Sequence, residues 1–224
     1  MKKCFSLIAV LAIGMAFCLT ANAYYPHLIV RACPHCKAHV VQEDTVSGNT
    51  IGAVYYTDGK REARMLPDHP LLAKCPACKG LFWVDEAIEI AAGFEEAEGK
   101  QKVLNPSEGE LLAFIFGETL TKDKELYLRQ RAWWAANDAW RHARGAKTNF
   151  SEAQVKNLQA FSEMLDETDE IERIFKAEIA RELGQFDTCR QLLSHPFGEN
   201  LQKVADFIRK RADEGDRGVC PITF

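Results

Sequence analysis

The hydrophobic rhythm of the chain changes twice. Phe5 to Leu19 is an almost unbroken apolar run behind Lys2 and Lys3. From residue 27 the pattern is of β type: apolar residues cluster in short runs bounded by Pro, Gly and Asp. His27 to Arg31 leads into a cysteine pair, and Thr50 to Thr57 reads as a strand. Asp58-Gly59 is a strong hairpin-turn signal, with a return strand from Arg61 to Leu66. Pro67 and Pro70 close that segment, and Leu81 to Val84 is a last apolar strand.

From Ser107 the period becomes helical. Ser107 and Glu110 have the spacing of a capping box and open a helix to about residue 117. A longer helix follows over residues 122–144, with Leu126, Trp133, Ala136, Trp140 and Ala143 spaced to make one buried face. Ser151 caps a third helix ending near residue 166. A fourth covers residues 169–183, with Gly184 placed to be its C′ residue. Short and final helices cover residues 186–193 and 200–211. The predicted class is α+β, a small β-rich unit followed by an all-α bundle. The segments are 1–23, 24–92, a Gly- and Glu-rich linker at 93–106, a helical unit at 107–214 and a tail at 215–224.

The first segment is read as an export signal. A basic start, an apolar stretch and Ala21-Asn22-Ala23 form the pattern that a signal peptidase cleaves. The apolar run, about 15 residues, is short of the roughly 20 that span a bilayer. The expectation is a bacterial signal cleaved after Ala23 and a mature protein in the periplasm without a membrane span, with retention as an N-terminal anchor the alternative. Bulky Phe17 before Cys18 disfavours a lipoprotein. Of 224 residues, 47% are hydrophobic and 27% charged, as in ordinary folded proteins. Without Lys2 and Lys3, 26 basic residues face 32 acidic ones, a net charge near −6. That balance, with no basic stripe, disfavours nucleic acid as a partner.

The chemistry concentrates in Cys33-Pro34-His35-Cys36 and Cys75-Pro76-Ala77-Cys78, with 38 residues between the two pairs. Two cysteines two residues apart sit on a tight knuckle and converge on one ion. Two such knuckles complete a tetrahedron, and a closed four-sulfur site is structural because catalysis needs a vacant position. Lys37, Lys79 and Gly80 suit the tight turns and the negative charge of a tetrathiolate. The expected cofactor is one structural zinc held by Cys33, Cys36, Cys75 and Cys78; iron takes the same ligands. Residues 27–86 resemble the zinc-ribbon family, where two CPxC knuckles flank a small hairpin sheet. The intervening segment exceeds the common spacing of about 15–20 residues, so an enlarged hairpin, residues 50–66, must lie between them.

Two other readings of the cysteines stand beside this one. Exported proteins meet an oxidising environment, and the pairs could be disulfides. Structural zinc contributes roughly 10–16 kcal/mol in small peptides, however, against ~2–4 for a disulfide. Cys-Pro-His-Cys also resembles the active-site tetrapeptide of periplasmic thioredoxin-fold disulfide oxidases. That resemblance implies a thiol-disulfide oxidoreductase with Cys33 as nucleophile and Cys36 as resolving thiol. Residues 37–42 do not continue as an amphipathic helix, and no βαβ layout is visible.

His35 and His39 lie beside the first knuckle and are expected outside the ligand set. No GxSxG, HExxH, phosphate loop or dinucleotide fingerprint occurs. On the long helix Trp134 is rotated about 100° from the face carrying Trp133, which makes Trp134, Asn137 and Arg141 candidate partner contacts. Ala177 to Leu193 resembles the centre of a tetratricopeptide (TPR) unit, with Gly184 at the turn, Phe186 packing across it and Cys189 at a small-residue position. A single repeat cannot stand as a solenoid, so the resemblance implies one hairpin in a compact bundle and a protein or peptide partner. Cys189 and Cys220 are either a disulfide pinning the tail or two free thiols. The functional expectation is a non-catalytic, zinc-stabilised binding or scaffold protein.

Overall fold

A computed structural model describes residues 26–45, 48–141 and 149–223. The segment read as an export signal and the predicted end of the long helix, residues 142–144, lie outside the described residues. The architecture is α+β, with small antiparallel sheets in the N-terminal part and helices in the C-terminal part.

Strands β1 (Pro26–Ala32) and β2 (His39–Thr45) form a hairpin in register from Pro26↔Thr45 to Ala32↔His39. The first cysteine knuckle is its loop. β7 (Ile88–Ala92) adds to the other side of β1, giving the order β2-β1-β7 with a bulge at Val30/Arg31. A second hairpin, β5 (Leu72–Lys74) and β6 (Leu81–Trp83), carries the second knuckle as its loop. Side-chain alternation in this hairpin joins the two halves of the molecule. Ala73 and Phe82 point toward Cys33, Val40 and Cys75. Their neighbours Leu72 and Trp83 point the other way, onto Leu111, Leu112, Ile115, Leu128 and Ala132. Trp83 meets Phe114 edge-on with ring centroids 6.3 Å apart.

The expected 50–66 hairpin is present with shorter strands, β3 (Val54–Tyr55) and β4 (Arg61–Glu62), around the Asp58-Gly59 turn. Gly52, at φ 70°, turns the chain before β3 and cuts the predicted strand short. Residues 93–106, expected as a linker, are tied down. They begin with a short helix α1 (Phe94–Ala97). Val41 and Val103 then bond, N–H of Val103 to the Val41 carbonyl at 2.9 Å, and Lys74 exchanges two backbone bonds with Leu104 at 2.9 and 3.0 Å. Valine and leucine at 103–104 supply the strand character that a Gly and Glu count hides.

The helices are α2 (Glu108–Gly117), α3 (Lys122–Arg141), α4 (Glu152–Met164), α5 (Glu170–Glu182), α6 (Phe186–Leu192) and α7 (Glu199–Asp213). Reciprocal capping boxes open α2 at Ser107/Glu110 and α4 at Ser151/Gln154. Trp133 is buried with Leu158, Phe161, Leu165 and Ile179, so its predicted inward face is correct. Helices α5 and α6 turn at Gly184, φ 79°, and share a cluster with α7 that includes Ala177, Ala180, Cys189, Ala205 and Ile208. Among the described residues no helix is long and apolar enough to cross a membrane.

Candidate metal centre

The two hairpin loops present identical local geometry because they share the sequence Cys-Pro-X-Cys-Lys. In the first, Lys37 N–H bonds to the Cys33 carbonyl at 2.9 Å and Cys33 N–H to Ala38 O at 2.9 Å. In the second, Lys79 N–H bonds to Cys75 O at 3.0 Å and Cys75 N–H to Gly80 O at 2.9 Å. Both lysines are left-handed, φ 63° and 66°, a conformation that costs a side-chain-bearing residue about 1 kcal/mol. Each lysine ammonium folds back on its own knuckle, Lys37 Nζ onto Pro34 O at 3.0 Å and Lys79 Nζ onto Pro76 O at 2.7 Å. Each knuckle backbone therefore carries one positive charge.

The sulfurs of Cys33, Cys36, Cys75 and Cys78 all lie within 4.8 Å of one another. The short contacts run between knuckles: Cys33 Sγ to Cys78 Sγ and Cys36 Sγ to Cys75 Sγ, each 3.8 Å. A tetrahedron of sulfurs around zinc at about 2.3 Å has edges of about 3.8 Å. The arrangement is one shared four-sulfur site rather than two separate CxxC units, and all four are free thiols. This soft, closed donor set suits zinc or iron, and no vacant position is left for a substrate. Cys33 and Cys75 are fully buried, while Cys36 and Cys78 reach the surface.

The thiols do not titrate alike. The Ala38 N–H draws Cys36 down to about 7. Burial pushes Cys33 up. Cys78 has the Gly80 N–H in its favour, but burial and the neighbouring thiols carry it up to about 12. Crowded thiols release one proton easily and resist the next, so a cation is what brings all four to thiolate. In the oxidoreductase reading Cys33 is the nucleophile, yet it is the buried thiol whose proton is held more tightly.

His35 is a brace rather than a ligand. Its Nε2 donates to the Leu81 carbonyl at 2.7 Å, tying the first knuckle to β6. The ring lies over Gly80, where a Cβ would stand 2.8 Å from His35 Cδ2. His39 is exposed at the start of β2.

The three candidate partner contacts, Trp134, Asn137 and Arg141, meet the chain itself. Asn137 and Arg141 are buried, and Trp134 is half-buried. Arg141 holds the Asp58 carboxylate with two bonds, 3.1 and 2.7 Å. Asn137 Nδ2 adds a third at 3.0 Å, and the Trp134 indole donates to the Asp58 carbonyl at 3.0 Å. The hairpin tip is thus plugged into the helical half. Beside Trp134, a cavity of about 250 Å³ has both of its cations occupied, Arg131 by Asp68 and Lys60 by Asp138, each at 2.6 Å. Cys189 and Cys220 are separate free thiols, and Cys189 is buried in the α5–α7 cluster.

Sequence reasoning missed the polar core behind this plug. Glu178, Arg181 and Glu182 are fully buried on α5. Arg181 pairs with both oxygens of Glu178 at 2.7 and 2.5 Å. Glu182 accepts from Trp133 Nε1 at 2.7 Å and from Asn137 Nδ2 at 3.1 Å. Burial, then the Glu178 charge, raise Glu182 well above the usual carboxylate range. Charged residues at three- and four-residue spacing ordinarily mark a solvated face, so nothing in the pattern signalled them. The chain matches no protein-family model, no curated protein and no solved structure, and its reading rests on its own geometry.

Proposed function

We propose that the protein is a non-catalytic, zinc-stabilised binding or scaffold protein of the periplasm, exported on its first 23 residues. The observation that carries this is the pair of 3.8 Å sulfur contacts between knuckles. With a closed donor set the ion serves the fold, clamping two hairpins that also share the His35–Leu81 bond and a small apolar cluster of Cys33, Val40, Ala73, Cys75, Phe82, Val84 and Ala87. The zinc-ribbon resemblance of the knuckles favours zinc over iron. The TPR resemblance of the α5–α6 hairpin favours a protein or peptide partner. A periplasmic oxidoreductase using Cys33 and Cys36 is the rival reading, favoured by the exposure of Cys36.

Elemental analysis of the mature protein, with thiols counted under denaturing conditions, separates the two. One zinc per chain, lost from both Cys33→Ser and Cys75→Ser, is the expected result. Absence of metal with disulfides closed inside each CxxC overturns the proposal, as does disulfide-reductase turnover abolished by Cys33→Ser.

A further inference from the structure

The C-terminal tail, residues 216–223, crosses the molecule as a bound peptide does. Arg181 donates through both terminal nitrogens to tail carbonyls, Nη1 to Asp216 and Nη2 to Gly218 at 2.9 Å. Farther along, Thr57 N–H bonds to Cys220 O at 3.1 Å, Cys220 N–H to Thr57 Oγ1 at 3.3 Å, and Ile222 N–H to Tyr55 O at 2.8 Å. Pro221, which has no N–H to offer, sits at an antiparallel bridge with Tyr56. The tail therefore pairs by one antiparallel bridge along the edge at Tyr55–Thr57, with a buried guanidinium reading its main chain upstream.

Three features distinguish this from an ordinary packed terminus. Most of the bonds are to backbone, the side-chain exceptions being Arg217 Nε on the Glu182 carbonyl at 2.8 Å and Asp216 beside Arg211 at 3.4 Å, and of the tail side chains Val219 is the buried one. The anchor is oriented from within its own helix, because Glu178 holds the Arg181 guanidinium with both carboxylate oxygens. The tail is also separable: Gly215, φ 67°, breaks it from α7, and a Cβ there would meet nothing within 4 Å. Backbone reading at a strand edge, with a pocket for one side chain, is how β-augmentation sites take peptides.

We propose that this groove is a peptide-binding site and that the tail is its resident competitor. The ligand is an extended segment of a partner protein. It presents two carbonyls to Arg181, a small branched apolar side chain to the Val219 pocket and a strand edge to Tyr55 and Thr57. This locates the partner site of the binding function proposed above and rests on that reading. A tail tethered by one glycine acts at an effective concentration on the order of millimolar. A tail of roughly 10 μM intrinsic affinity then weakens any competing peptide about 100-fold in the intact chain.

The test uses the full-length mature chain and a fluorescent peptide of residues 214–223. A tail-release variant, Val219→Asp with Ile222→Pro, buries a charge in the pocket and deletes one ladder donor. The peptide is expected to bind this variant at least ~10-fold more tightly than the intact protein, and an Ile222→Pro peptide is expected to lose that gain. Equal binding to a folded variant and to the intact chain overturns the proposal. Should the variant fail to fold, hydrogen exchange on the intact chain decides. Cys220 and Ile222 amides that exchange well before the α5 core support a vacating tail, and exchange only on global unfolding refutes it. Metal content is measured on the same samples. A metal-loaded, folded variant that ignores the peptide removes the groove and leaves the scaffold reading standing, whereas a chain without metal removes the scaffold reading whatever the peptide does.

Discussion

Asp58→Ala tests whether the hairpin tip is what locks the two halves together. The Asp58 and Arg141 side chains are both 0% exposed, and their ion pair is 2.7 Å long. Removing the carboxylate strands a buried guanidinium, a change that costs about 3–5 kcal/mol. Arg141 keeps two carboxylate neighbours, half-exposed Asp138, to which its Nε donates at 2.9 Å, and Glu62 at 3.8 Å, so the low end, about 3 kcal/mol, is expected. The Trp134 bond goes to the Asp58 main chain and survives. Against a total stability of about 5–15 kcal/mol, the loss lowers Tm by about 6–12 °C. Urea titration followed by tryptophan fluorescence reads it directly, because Trp133 and Trp134 flank the network. Arg141→Met combined with Asp58→Ala is expected to cost well under the sum of the single changes. Metal content is expected to be unchanged, since the knuckles belong to other hairpins. A loss below about 1 kcal/mol at unchanged m, or additivity within about 0.5 kcal/mol, refutes the docked tip.

Three further outcomes follow from single contacts. Gly80→Ala drives a methyl to 2.8 Å from the His35 ring and is expected to destabilise by about 1–3 kcal/mol; His35→Ala in the same chain restores most of it, read by thermal melting with metal content. Glu182 is raised by burial, by Glu178 and by Asp58 against the opposing Arg181, so the folded state holds a proton that the unfolded chain releases near pH 4.3. Its contribution is complete at low pH and declines as pH rises above that value toward the folded pKa. Glu182→Gln is expected to flatten the fall in urea midpoint above about pH 5, and an unchanged slope contradicts the assignment. Chelation at neutral pH is expected to unfold the knuckle hairpins while α5–α7, packed through their own cluster, keep their helical circular dichroism; loss of all helicity in one step contradicts that independence.

What the sequence disclosed and what it withheld divide along a physical line. The paired CPxC knuckles, the Ser107 and Ser151 caps, the inward Trp133 and the Asp58-Gly59 turn were legible because each is a local pattern with a local cause. Cys33, Cys36, Cys75 and Cys78 converge because two knuckles of the same sequence form the same hairpin loop. Residues 93–106 misled because backbone pairing of Val103 and Leu104 with distant strands leaves no trace in composition. Trp134, Asn137 and Arg141, read as candidate partner contacts, meet the chain's own turn, 79 residues away from Asn137. The same blindness covers Glu178, Arg181 and Glu182, whose charges are buried only because a hairpin tip and a tail from opposite ends of the sequence close over them. A buried polar residue is a property of two segments at once. Where both belong to one chain, the pattern of either alone reads as a surface, and contacts that look available to a partner are already taken.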